Sequence, residues 1–204
     1  MNSRKTPYTF FFDLDGTITA EEILPKIAKE AGLSEQISEL TKMTIAGEIP
    51  FVESFKKRVN MLRHIEIEKI KGVIEDVELN NELIQFIREN SESCFIVTGN
   101  LDVWVDELCR KIGCRFFTSK AKVSGDGRYI ESISFVLDKS QIAKGFSSPL
   151  VAVGEGHNDA EMIKSSDIGI AYGGVHMPAA SVLDCATHAI FEEKCLCGFL
   201  RQLL

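Results

Sequence analysis

Residues 8–12 (YTFFF) are apolar almost without interruption and then run into acids. That is the pattern of a strand buried on both faces, delivering polar side chains at a sheet edge. From about Glu21 to Glu75 the period becomes helical, through ILPKIAKEAGL, ISELTKMTIAG, FVESFKKRVNML and IEKIKGVIEDV. Four short helices are predicted there, with almost no strand signal between them. Gly32 and Gly47 are placed to end two of these helices, and Pro50 separates the second from the third. Strand and helix then alternate: a helix near 80–89, a strand at 94–97 (CFIV), a helix at 101–112 and a strand at 115–118 (RFFT). A hairpin is expected over 122–137, turning at Gly125-Asp126-Gly127. A helix at 139–145, a strand at 150–153 (LVAV), a helix at 158–165, strands at 167–171 and 187–191 and a closing helix from 193 complete the pattern. Such alternation predicts an α/β fold, a parallel sheet with helices on both faces. Ligands of such sheets bind beyond the carboxyl ends of the strands. The loops after Phe12, Val97 and Val153 are therefore where chemistry is sought.

Composition narrows the function. The 204 residues suit one domain carrying a modest insertion, and 45% hydrophobic content is ample for a core. Thirty acidic against 23 basic residues give a net charge of −7 and no basic stripe, so no nucleic-acid partner is expected. No apolar run approaches the roughly 18 residues of a membrane span. The opening MNSRKTPYTFFFDLDG meets acids too soon for a signal peptide, so a cytoplasmic protein without a membrane partner is expected. The six cysteines form no C-x-x-C pair, and Cys195 and Cys197 have no second pair or histidine cluster to complete a zinc site. They read as reduced thiols used as small hydrophobes.

Three loops and a helix start carry the candidate chemistry. FFDLDGT places Asp13 and Asp15 one residue apart at a strand end, with Gly16 permitting the turn. VTGN offers the Thr98 hydroxyl and Gly99 at what reads as a helix N-terminus, a cradle for phosphate. Lys139 adds a point charge for a phosphoryl oxygen, with Lys144 a rival. VGEGHND returns Glu155 and Asp159 to the same crevice. Four carboxylates this close repel one another, so a divalent cation is expected, and an all-oxygen shell suits Mg²⁺. Each piece alone has a plainer reading: a D-x-D after a strand is commonly a cap or turn acid, and a lone lysine a solvated charge. Their joint occurrence in this order gives the functional reading its weight. His157, Trp104, Phe95 and Asp167 read as a loop residue, two packing aromatics and a strand-start residue.

With these motifs the chain resembles the haloacid dehalogenase superfamily, and within it the phosphoserine-phosphatase-like group. EILPKIAKEAG and FKKRVNMLRHIEIEKI resemble that group's cap helices. The resemblance implies a Rossmannoid parallel-sheet core, residues 1–19 and 77–204, with an inserted helical cap of the C1 type at 20–76. It implies a phosphomonoester hydrolase working through a phosphoaspartyl intermediate on phosphoserine or a similar small phosphorylated metabolite. Alternatives are phosphotransfer to an alcohol, and a weakly active binding protein. By the resemblance Asp13 is the nucleophile and Asp15 the general acid/base. Thr98, Gly99, Asn100 and Lys139 hold the phosphate. Glu22 reads the substrate ammonium, Arg58 its carboxylate, and Asn158 also contacts substrate. Asp13, Asp15 (through its carbonyl) and Glu155 hold Mg²⁺ or Mn²⁺, supported by Asp159. Three features depart from the group's pattern: Glu155 replaces the usual aspartate, Asn100 a glycine, and only fifteen residues (140–154) separate Lys139 from Glu155; Gly16 also stands where that group often has serine, as is common elsewhere in the superfamily.

Overall fold

The computed structural model describes residues 7–45 and 48–204. The chain's first six residues and Gly47, expected to end a helix, lie outside the described residues. The architecture is a seven-stranded sheet in the order β4-β3-β2-β1-β5-β6-β7. Its strands are β1 (Thr9–Phe12), β2 (Cys94–Leu101), β3 (Arg115–Val123), β4 (Ile130–Phe135), β5 (Leu150–Gly154), β6 (Ile168–Tyr172) and β7 (His188–Ile190). All neighbours are parallel except β3 and β4. β1 is central: the chain builds outward to β2 and β3, then crosses back to lay β5, β6 and β7 on the other side. The carboxyl end of β1 is thus the point where strand order reverses, and a crevice opens there.

The sequence YTFFF makes this strand because its side chains alternate between two hydrophobic layers. Phe10 and Phe12 join one core cluster with Cys94, Ile96, Val151 and Val153. Phe11 joins the opposite one with Phe95, Val97, Leu150 and Ala152. Phe10 meets Phe86 edge-on at 5.4 Å, and Phe11 meets Phe146 at 4.8 Å. All three phenylalanines are essentially inaccessible, and burying each contributes roughly 1.5–3 kcal/mol. A strand apolar on both faces can only be central, which sets Asp13 at the middle of the crevice.

Helices α1 (Ile23–Glu30), α2 (Ser34–Ile45), α3 (Phe51–Leu62) and α4 (Ile67–Glu75) follow β1. Gly32 ends α1 as expected: at φ +69° it lets Leu33 N donate to Ala28 O at 2.8 Å and Gly32 N donate to Lys29 O at 3.2 Å. The chain enters and leaves this helical stretch through two crossings tied to each other. Ala20 N donates to Glu78 O at 2.8 Å and Asn80 N to Ile18 O at 2.9 Å, around a bridge between Thr19 and Leu79. Then come α5 (Asn81–Glu89), α6 (Asp102–Ile112), α7 (Lys139–Lys144), α8 (Ala160–Lys164), α9 (Ala180–Leu183) and α10 (Glu193–Arg201). Lys71–Glu107 (2.9 Å) and Lys111–Glu75 (2.8 Å) link α4 to α6 across the surface.

Two expectations are corrected. The strand at 115–118 and the hairpin at 122–137 are not separate: β3 runs to Val123, parallel to β2 at its start and antiparallel to β4 at its end. Alternation in the exposed half hid the continuity, because partners change within one strand. The helix expected from 101 begins at Asp102, and β2 continues through Thr98-Gly99-Asn100. Thr98 and Gly99 therefore do not sit at a helix N-terminus. The β2–β3 register breaks between Val97 and Leu101. There the Ser119 hydroxyl donates to Gly99 O at 2.7 Å, replacing a ladder partner. Neither α9 nor the turn at Leu14–Ile18 is legible in the hydrophobic pattern.

Asp167 is the strand-start residue expected: its Oδ2 accepts from Leu150 N at 2.8 Å. Trp104 and Phe95 are buried packing aromatics. The cysteines are free thiols, and burial pushes the Cys94 thiol up to about 12, out of the reactive range. Among the described residues no helix is long and apolar enough to cross a membrane.

Candidate active site

Asp13 follows β1 directly, its N–H still donating to Val153 O at 3.0 Å. Asp13 is 5% exposed, and its carboxylate accepts from Leu14 N at 2.7 Å. The chain then makes a tight turn over Leu14–Ile18 with Gly16 at φ +65°. This turn re-aims Asp15, whose Oδ1 accepts from Ile23 N at 2.9 Å at the start of α1. Its Oδ2 accepts from Asn100 Nδ2.

Lys139 opens α7, whose N-cap Asp138 accepts from Ser140 N at 2.9 Å. Lys139 is 3% exposed, and its ammonium lies between two carboxylates, 2.6 Å from Asp13 Oδ1 and 2.5 Å from Asp159 Oδ1. Lys144 is exposed on the far end of the same helix, away from these groups. Asp159, fully buried, also ties the loop after β5, accepting from Gly156 N at 2.9 Å and Glu155 N at 3.2 Å. Gly154 makes this possible, since a Cβ there would stand 2.6 Å from Asp159 Cγ. His157 stays a loop residue, its Nδ1 2.7 Å from Ser181 Oγ.

Thr98 is fully buried, and its hydroxyl accepts from Asn100 N at 3.2 Å and Asn100 Nδ2 at 3.3 Å. The Asn100 amide bridges Thr98 and Asp15, because the broken β2–β3 ladder carries it to the β1 loop.

A cavity of about 680 Å³ opens over these groups. Asp13, Asp15, Gly99, Asn100 and Glu155 line it from the sheet side, with Asn158 from the loop after β5. Glu22, preceding α1, and Arg58, in α3, line it from the helical stretch. Phe51 of α3 closes over Gly99, where a Cβ would come within 3.3 Å of its ring. Thr98, Lys139 and Asp159 lie beneath this lining, buried. Sequence reasoning missed His176, in the loop after β6, which also lines the cavity. Its position beyond the carboxyl end of a parallel strand was the available signal.

The electrostatics are those of too many carboxylates in one dry place. Burial, then Asp159, push the Asp13 carboxyl well above its usual range, against the pull of Lys139. Burial raises Asp15 against the bonds from Ile23 and Asn100. Glu22 is pushed up to about 7 by burial and by Asp15, and Glu155 to about 9 by burial and by Glu22. Burial works to lower Lys139, but Asp13 and Asp159 outweigh it and hold it firmly charged. Arg58 is lowered by burial.

This donor set fits a hard divalent cation. Glu155, 7% exposed, has Oε2 buried with no hydrogen-bond partner among the described residues, an arrangement that costs free energy unless something positive completes it. Asp13 and Asp15 line the same cavity and add oxygen donors, the chemistry that suits Mg²⁺. Glu22, Glu155 and His176 bring one ligand-type atom each within 4.8 Å of one another. Asp13 is drawn toward Lys139 instead.

Comparison with known proteins follows the same lines. The family model for haloacid dehalogenase-like hydrolases matches residues 8–167. A phosphoserine phosphatase of Methanocaldococcus jannaschii is 30% identical over 206 residues, covering 94% of this chain and 92% of its own. One from Archaeoglobus fulgidus is 30% identical over 198 residues, covering 90% of this chain; the chain spans 56% of that relative's length. A substrate-bound phosphoserine phosphatase complex superposes with TM-score 0.81 at 26% identity, over 98% of this chain and 99% of that one. A phospho-aspartyl intermediate analogue of phosphoserine phosphatase gives 0.80 at 25%, over 96% and 99%.

Proposed function

Because the chain belongs to the haloacid dehalogenase-like hydrolases, we propose that it hydrolyses a small phosphomonoester through an aspartyl phosphate, with phosphoserine or a close analogue as substrate. The observation that carries this is the buried Asp13–Lys139–Asp159 triad at the carboxyl end of the central strand. A carboxylate held that way, facing a cavity, is a nucleophile paired with a fixed cation.

Asp13 attacks phosphorus, the bond from phosphorus to the leaving oxygen breaks, and the proton of Asp15 passes to that oxygen. Water then attacks phosphorus, the aspartyl bond breaks and Asp15 takes the proton of the water. Burial keeps the Asp15 carboxyl raised, so that the protonated form needed first is within reach. Lys139 and Thr98, with the backbone around Gly99, hold phosphoryl oxygens, so the protein's part is mainly positioning and charge. Asp13, Glu155 and the carbonyl of Asp15 would hold Mg²⁺ or Mn²⁺, with Asp159 supporting the loop that carries Glu155. When bound, that ion offsets repulsion between the anionic nucleophile and the anionic ester.

Residues 20–76 act as a cap over a core of 1–19 and 77–204. From it Arg58 reads the substrate carboxylate and Glu22 its ammonium, opposite charges on opposite ends of an amino acid. Asn158 completes the contact from the core. Phosphate release should be measured over small phosphomonoesters with Mg²⁺ and with Mn²⁺. Selectivity for amino-acid phosphates that Arg58→Ala abolishes is the expected result; preference for sugar phosphates or nucleotides overturns the roles of Glu22 and Arg58.

A further inference from the structure

Asn100 is 3% exposed and at the edge of the cavity, yet its amide is not left free for a ligand. Nδ2 donates to Asp15 Oδ2 and lies 3.3 Å from Thr98 Oγ1, while the Asn100 N–H donates to that same hydroxyl at 3.2 Å. The orientation of the amide follows from chemistry: a carboxylate oxygen accepts, so the nitrogen must face it. Asp15 is therefore gripped at both oxygens, Oδ1 by the backbone of Ile23 at 2.9 Å and Oδ2 by Asn100. One grip comes from the helical stretch, the other from the sheet. The Ile23 bond belongs to the helical stretch, so the Asn100 bond is what ties the Asp15 side chain to the sheet.

We propose that Asn100 is a positioning residue for Asp15, holding the proton-transfer carboxylate in register with the ester oxygen, and is not itself a ligand of the transferred phosphate. This rests on Asp15 being the general acid/base of the reaction proposed above. A proton-transfer group acts only within hydrogen-bond reach of the atom it serves, about 2.6–3.2 Å. A carboxylate held at one oxygen can rotate about its last bond. Held at both, it cannot.

The role separates from phosphate binding by the leaving group. An alkyl phosphate expels an alkoxide and needs the proton from Asp15 as the bond to phosphorus breaks. 4-Nitrophenyl phosphate expels a stable phenolate and needs little help in that step, though hydrolysis of the aspartyl phosphate still uses Asp15 as base. Asn100→Ala should therefore cut kcat on phosphoserine by about 10–100-fold, part of the roughly 10²–10⁴ that such a group contributes. The rapid phase of nitrophenolate release should change less than about threefold, and a burst close to one equivalent should precede a slowed steady state, as aspartyl phosphate accumulates. Inhibition by inorganic phosphate should be unchanged. Equal loss in the rapid phase for both esters, with weakened phosphate inhibition, makes Asn100 a phosphate ligand and overturns the proposal; no loss for either ester also overturns it. Should the alanine variant not fold, Asn100→Ser, whose hydroxyl is one bond too short to stand where Nδ2 meets Asp15, is read by the same measurements with the same supporting and overturning results. Failure of the underlying reading shows elsewhere: the unsubstituted protein would then release no phosphate from either ester.

Discussion

Gly16→Ala offers a test in which strain and contact can be separated. Gly16 sits at φ +65°, where a residue with a Cβ loses roughly 1–2 kcal/mol. For a chain of this size that predicts a fall in Tm of about 2–8 °C. The added Cβ would also stand 2.2 Å from Glu155 Oε1, 2.5 Å from Cδ and 2.9 Å from Oε2. To restore ordinary contact the Glu155 carboxylate must retreat by roughly 1 Å. Mg²⁺ binds at about 2.0–2.1 Å and tolerates little distortion, so affinity for it should fall by about 10–100-fold. Aspartate at 155 would be one methylene shorter and would clear the new methyl group. Glu155→Asp should therefore cost less in Mg²⁺ affinity in the Gly16→Ala background than alone, with a coupling of about 0.5–3 kcal/mol. Backbone strain in the Gly16→Ala background is the same with either acid at 155 and drops out. Urea or thermal unfolding reads the strain, and calorimetric titration with Mg²⁺ reads the coupling. Additive losses in Mg²⁺ affinity would refute the claim that the bare glycine makes room for the longer acid.

Three further outcomes follow from the site. Asp13→Asn should lower turnover by on the order of 10⁴-fold or more with the fold intact, checked by phosphate release alongside circular dichroism. Lys139→Met leaves Asp13 and Asp159 buried without their cation, and should cost about 3–5 kcal/mol in urea unfolding at pH 8. That deficit should shrink in acid as Asp13, whose carboxyl burial raises, protonates; a pH-independent deficit would mean lost packing. Chelator-treated protein should lose stability as pH rises from about 4.5, because Glu22 (about 7) and Glu155 (about 9) are raised in the folded state and so bind more protons there than in the unfolded chain. The loss is complete only above those values, and added Mg²⁺ should recover more stability at pH 9 than at pH 6. A metal-free protein equally stable from pH 5 to 9 would contradict that assignment.

What the sequence settles here is local and periodic. YTFFF alternates between two hydrophobic layers, so β1 is central and Asp13 must stand at the switch point. The helical period from Ile23 to Glu75 and the left-handed Gly32 were equally legible, because helix periodicity and terminating glycines act over a few residues. Long-range contacts were decided only by the tertiary structure. Nothing near Asn100 in the chain says that its amide reaches Asp15, 85 residues away, because that contact depends on the broken β2–β3 ladder and on the Ser119 hydroxyl that mends it. Likewise Gly16 and Glu155 each read as a separate departure from a motif. Only the packing of two loops against each other shows that they share one volume, where a methyl group on the first would occupy the space of the carboxylate on the second.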